Sequence, residues 1–99
     1  MRAVSIYERK ADYVAQLGKV LNASEYFDRI DYEHDIMNGD EYIRIQNSTG
    51  DPFFINVTGN SESAILLEVA RFVNGIKPTG FVTGKDARRR AAQLFRRAV

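Results

Sequence analysis

The sequence predicts an α+β fold in a single domain spanning residues 1–99. Three observations carry that prediction. Glu41-Tyr42-Ile43-Arg44-Ile45 and Phe53-Phe54-Ile55-Asn56-Val57 are short runs rich in β-branched and aromatic residues, with the turn-forming Ser48-Thr49-Gly50-Asp51-Pro52 between them. Residues 62–74 then place apolar side chains at helical spacing and end at Gly75. The start of the chain shows a second helical period. A chain of 99 residues supports one core and leaves little room for a deep substrate cavity.

In chain order, Ser5 followed by Glu8 is a capping box, in which each side chain satisfies the other's orphan backbone N–H. Tyr7, Ala11, Val14, Leu17 and Leu21 then recur at helical spacing, and Tyr13 and Val20 widen the stripe. One helix is expected over residues 6–22. Gly18 weakens it by about 1 kcal/mol relative to alanine.

Residues 24–41 hold seven acids (Glu25, Asp28, Asp31, Glu33, Asp35, Asp40, Glu41) against one base, Arg29. Ser24 is able to cap a short helix presenting Tyr26, Phe27 and Ile30. Against that, Ile30, Tyr32, His34 and Ile36 alternate, and Asn38-Gly39 is a hairpin signal. A two-residue turn there would set His34 opposite Ile43, Tyr32 opposite Ile45 and Glu33 opposite Arg44. The apolar members then share one face and the charges the other. A strand over residues 30–37 is expected, giving a two- or three-stranded antiparallel meander.

In the last strand, Phe53, Ile55 and Val57 point one way and Phe54, Asn56 and Thr58 the other. Tyr42 and Phe54 share the outer face, either as an exposed aromatic patch or beneath a terminal segment. Asn60 or Ser61 caps a covering helix with Ile65, Leu66, Val69, Phe72 and Val73 toward the sheet. Residues 76–85 form a connector anchored by Phe81 and Val82. A last helix follows to about residue 98, with Ala87, Ala91, Leu94, Phe95 and Ala98 on one side and five arginines around it.

Composition narrows the function. A hydrophobic share of 44% and 11% aromatics belong to a globular chain rather than a disordered one. The absence of cysteine excludes disulfides, thiolate metal sites and a cysteine nucleophile together. Met1-Arg2-Ala3-Val4-Ser5 runs straight into charged residues, unlike a signal peptide, and no apolar run reaches the roughly 20 residues of a membrane span. A cytoplasmic protein without membrane contact is expected. The net charge of +1 conceals a split: residues 1–60 carry net −4 and residues 61–99 net +5.

That split points to charged partners. Arg88, Arg89, Arg90, Arg96 and Arg97 form a surface for nucleic acid or an acidic partner, since each phosphate neutralised releases a counterion. The bland alternative is a solvated face favoured by the helix C-terminal dipole. Asp28, Asp31, Glu33, Asp35, Asp40 and Glu41 form a surface for a basic partner, or else the charged guard of an edge strand. His34 is the only histidine, and its acidic neighbours alternate away from it on a strand, which argues against a metal site. A small hydrolase using His34 would lack a nucleophile-elbow sequence.

Other motifs fail on spacing. Gly80-Phe81-Val82-Thr83-Gly84-Lys85-Asp86 is one residue short of a phosphate loop and ends in an acid. Residues 35–41 place Met37 where a calcium loop needs oxygen. Asn22-Ala23-Ser24, Asn47-Ser48-Thr49 and Asn56-Val57-Thr58 are chance glycosylation triplets without a secretory signal. No cofactor, metal or catalytic residue is assigned.

The order Glu41-Tyr42-Ile43-Arg44-Ile45, then Phe53-Phe54-Ile55-Asn56-Val57, then residues 61–75, resembles small accessory proteins of phages and conjugative elements. Some proteins of that shape are anti-CRISPR inhibitors acting as acidic plugs in nuclease grooves. The resemblance covers about a third of the chain and implies a non-enzymatic interaction protein. The basic C-terminal helix departs from an all-acidic mimic, and no functional residue is carried over. A protein partner is expected, with a nucleic-acid-processing machine as the candidate class. Open sheet edges also allow a homodimer through an edge or the terminal helix.

Overall fold

The computed structural model describes residues 5–22, 29–46, 52–84, 86 and 89. Its elements in chain order are α1 (Ile6–Asn22), β1 (Arg29–His34), β2 (Glu41–Gln46), β3 (Phe53–Asn56), α2 (Glu62–Val73) and β4 (Phe81–Val82). The strands form one antiparallel sheet in the order β1-β2-β3-β4. The α+β class holds, but the sheet has four strands rather than two or three. Phe81 and Val82, expected in a connector, pair with Ile55 and Phe54 as the fourth.

One core lies between the sheet and two helices. Val14 from α1, Ile30, Ile43, Ile45 and Ile55 from the strands, Val57, and Ile65 and Val69 from α2 make a single buried cluster. Both helices therefore cover the same sheet face. Fully burying such a side chain is worth about 1.5–3 kcal/mol, so this cluster dominates stability. On the opposite face Phe54 is completely buried and Tyr42 half-buried, so the exposed aromatic patch does not form.

Local chemistry sets the helix bounds. The Glu8 N–H donates to the Ser5 Oγ at 3.1 Å, as a capped start requires. Gly18 allows α1 to lie close on β1, because a Cβ there would stand 2.7 Å from Ile30 Cγ2. Val20, expected in the buried stripe, is exposed. Ser61 caps α2 by accepting from the Ala64 N–H at 3.2 Å. At its other end Ile76 N–H bonds Arg71 O at 2.8 Å and Gly75 N–H bonds Phe72 O at 3.1 Å. With Gly75 at φ 74°, this is the paired Schellman closure, which fixes the direction of Ile76.

The β1–β2 hairpin corrects the expected register. Ile30 opposes Ile45, Asp31 opposes Arg44, Tyr32 opposes Ile43 and His34 opposes Glu41. The pairing has moved by two residues, so every side chain keeps its face while the connection lengthens to residues 35–40. A two-residue turn at Asn38-Gly39 is replaced by a loop built on Asp35. Asp35 N–H bonds Asp40 O at 2.7 Å, and Gly39 N–H bonds Asp35 O at 2.7 Å. The Asp35 carboxylate accepts the Met37 N–H at 3.0 Å, and Asn38 Oδ1 accepts the Asp40 N–H at 3.1 Å. These local bonds satisfy more backbone groups than a minimal turn, and β1 stops at His34 instead of continuing to Met37.

Candidate interaction surface

The hairpin end is organised from a buried carboxylate outward. Glu41, at the start of β2, is 3% exposed. Lys10 Nζ of α1 lies 2.7 Å from its Oε1, the Tyr32 hydroxyl donates to the same oxygen at 2.6 Å, and the Gly59 N–H donates to Oε2 at 2.8 Å. Burial alone would raise the Glu41 pKa. The bonds from Lys10, Tyr32 and Gly59, with the Lys10 charge, outweigh it and hold the carboxyl below its ordinary value. Burial, followed by donation to this carboxylate, pushes the Tyr32 phenol well above its own. Tyr7, one turn before Lys10, stacks on His34 with centroids 3.7 Å apart and planes at 12°. The first half of α1 is thereby locked onto the base of the β1–β2 loop.

The predicted acidic residues divide by role. Glu41 is committed to Lys10 and Tyr32, and Asp35, 6% exposed, builds its own loop. Asp31 pairs with Arg44 at 2.9 Å and Arg29 at 2.8 Å, and Glu33 lies 3.4 Å from Arg44. These last pairs occupy the outer face of an edge strand, where such bridges add little stability but discourage foreign pairing. Asp40 is half-buried, with the Tyr42 hydroxyl 3.5 Å away. Asp28 lies outside the described residues.

Of the five predicted arginines, Arg89 alone is described. It is exposed and shares a polar cavity of about 270 Å³ with Asn38, Asp40, Tyr42 and Asp86. Arg88, Arg90, Arg96 and Arg97, and with them most of the expected terminal helix, lie outside the described residues.

Two features went unread in the sequence. Lys10 lies three residues after Tyr7 and four before Val14, inside the apolar stripe of α1, and a cation at such a position signals a buried pair. Ile36 and Met37 were placed in a strand, yet they crown the β1–β2 loop at 85% and 91% exposure. The neighbouring Asn38-Gly39 turn signal was the available clue.

A second concave feature lies beside β4 and the C-terminal end of α2. β2 runs away from the loop and β3 returns, so Phe53 stands opposite Ile45 at the distal end. Phe53 packs on Phe72 at 5.4 Å and on Phe81 at 5.9 Å. Beside this cluster a cavity of about 280 Å³ is lined by Phe72, Gly75, Ile76, Lys77, Pro78 and Phe81. Buried Glu68 of α2 holds its wall by accepting from the Thr79 hydroxyl and from the Gly80 N–H at 3.1 Å.

Among the described residues, no group of three or more His, Asp or Glu side chains could hold a metal ion. None of the described helices is long and apolar enough to cross a membrane. Comparison with protein-family models, curated proteins and solved structures found no match to this chain.

Proposed function

We propose that this chain is a non-enzymatic interaction protein that binds a macromolecular partner through the loop end of the β1–β2 hairpin. One observation carries the reading: Ile36 and Met37 stand almost fully exposed on a loop closed by its own hydrogen bonds. A loop held in one conformation loses little entropy on binding, and its apolar side chains gain by leaving water. Asp40, half-buried at the end of the loop, sets a carboxylate beside the contact and favours a basic partner. The opposing charges of the two halves of the chain make a component of nucleic-acid machinery the favoured class.

A second reading has the exposed Arg89, with Arg88, Arg90, Arg96 and Arg97, contacting DNA or RNA directly. One experiment separates the two. The wild-type chain and an Ile36→Asp/Met37→Asp variant are used as baits in host lysate, each with and without nuclease. The first reading expects a protein that survives nuclease and is lost with the variant. Recovery that persists with the loop variant overturns it. Bound nucleic acid and collapse under nuclease transfer the function to the arginines.

A further inference from the structure

We infer that Asn38 is a site of self-modification, at which the folded chain converts an asparagine of the β1–β2 loop into isoaspartate and aspartate. The reaction needs water but no partner, so it is independent of the loop's role as a contact surface.

The nucleophile, the electrophile and the leaving group all come from the chain. Hydroxide takes the proton of the Gly39 backbone nitrogen, which attacks the Asn38 side-chain carbonyl carbon. A new N–Cγ bond closes a succinimide ring, and the Cγ–Nδ2 bond breaks to release ammonia. Water then opens the ring. Opening at Cγ gives aspartate, and opening at the main-chain carbonyl gives isoaspartate, in which the chain runs through the former side chain.

Two local conditions favour the attack: a following residue without a side chain to shield its nitrogen, and an asparagine side chain folded forward onto the next backbone groups. Asn38 meets both. Gly39 follows it, and no other atom lies within 4 Å of where a Cβ on Gly39 would stand. Asn38 Oδ1 accepts the Asp40 N–H at 3.1 Å, which folds the side chain across the intervening Gly39 and draws electron density from its carbonyl. The residue is also exposed to water.

Two other asparagines meet one condition each. Asn74 precedes Gly75, but its Nδ2 donates backward to Ala70 O at 2.7 Å, away from the Gly75 nitrogen. Asn56 does fold forward, with Oδ1 accepting the Thr58 N–H at 3.0 Å. Its next residue is the β-branched Val57, whose N–H bonds Glu41 O at 2.9 Å.

One bond opposes the attack on Asn38. The Gly39 N–H donates to Asp35 O at 2.7 Å and has to be released first. That release opens an exposed loop and leaves the strand pairing from His34 and Glu41 onward intact. Freeing the Gly75 N–H instead undoes the last turn of α2, where Phe72 and Val73 pack against the core. The product adds a carboxylate close to Asp40. Isoaspartate also lengthens the main chain by one carbon and removes the side-chain carbonyl that held the Asp40 N–H, which reshapes the turn bearing Ile36 and Met37.

Peptide mass mapping of purified protein, incubated in mildly alkaline buffer with and without guanidinium chloride, tests the site. Arg44 and Arg71 place Asn38 and Asn74 in different tryptic peptides. In denaturant the two should react at comparable rates. In the folded chain Asn38 should lead by about tenfold or more, giving both isoaspartate and aspartate. Gly39→Ala, checked as folded by circular dichroism, should slow Asn38 by about tenfold or more. A Cβ at φ 79° strains and loosens the turn, so a rate that followed loop mobility alone would rise instead. Asn74 keeping pace with Asn38 in the folded chain overturns the inference, as does a folded Asn38 that stays intact while the denatured chain reacts. So does aspartate without isoaspartate, or a Gly39→Ala rate equal to or above the wild type's.

Discussion

At the scale of single residues, Glu41 is the side chain on which the hairpin end depends. Removing its cation by Lys10→Met leaves a buried carboxylate without a counter-charge, a change that costs about 3–5 kcal/mol where the partner stays behind. Urea unfolding at neutral pH should show that loss. Replacing both partners, as Lys10→Met/Glu41→Leu, should recover part of it, since the two apolar side chains need no pairing while the Tyr32 hydroxyl and the Gly59 N–H lose their acceptor. The same group sets an acid limit. Its folded pKa lies below the unfolded value of about 4.3, so its contribution is full above that pH and disappears as pH falls through the folded pKa. Tyr32 runs the other way. Its raised pKa makes its contribution full below about pH 10 and lost as pH rises through the folded value. Urea midpoints measured across pH should therefore fall on the acid side for the wild type and stay flatter for Glu41→Gln. Parallel acid limbs in the two proteins would assign the transition to other carboxylates.

At the scale of elements, the chain shows what periodicity reveals and what it leaves open. The bounds of α1 and α2 were legible because capping chemistry and a 3.6-residue period agree at both, from Ser5 and Glu8 to Ser61 and Gly75. The faces of β1, β2 and β3 were legible for the same reason, with a period of two. Their register was not, because a shift of two residues leaves every face unchanged and only the loop's own bonds distinguish the alternatives. β4 was hidden because two residues are too short for any period, and its evidence lies in the close approach of Gly80 to Asn56. The tip at Ile36 and Met37 was hidden by the same alternation that revealed the strand. Gly80 supplies a test of this level. A Cβ on it would stand 2.0 Å from the Asn56 carbonyl oxygen, while Asn56 N–H bonds Gly80 O at 2.6 Å. Gly80→Ala should then destabilise by about 2–3 kcal/mol, at the upper end of single substitutions, by prying β4 from β3. Gly18→Ala meets only the Ile30 side chain and gains about 1 kcal/mol of helix propensity, so its net effect should be smaller. Thermal unfolding of the two variants ranks them, and equal losses would contradict the packing assigned to β4.

At the scale of the whole molecule, the single core makes the sheet and both helices interdependent. Val14 joins α1 to a cluster that also contains Ile65 and Val69 of α2, and the strands between them contribute Ile30, Ile43, Ile45 and Ile55. Among the described residues neither helix has a separate core, so neither should unfold alone. The polar lock between Lys10, Glu41 and Tyr32 adds a second tie between α1 and the sheet at the loop end. Cooperative, two-state unfolding is the consequence for a domain of this size. The five tyrosines and the absence of tryptophan give a convenient check. Tyrosine fluorescence sums all five, among them Tyr7 and Tyr32 at the contact between α1 and the β1–β2 hairpin, while far-ultraviolet circular dichroism follows the helices. The two signals should share one urea midpoint. Val14→Ala, which opens space beneath α1, should move them downward together by the equivalent of about 1–3 kcal/mol. If fluorescence changed at lower urea than the helical signal, α1 would be a separately unfolding element and the core would be divided.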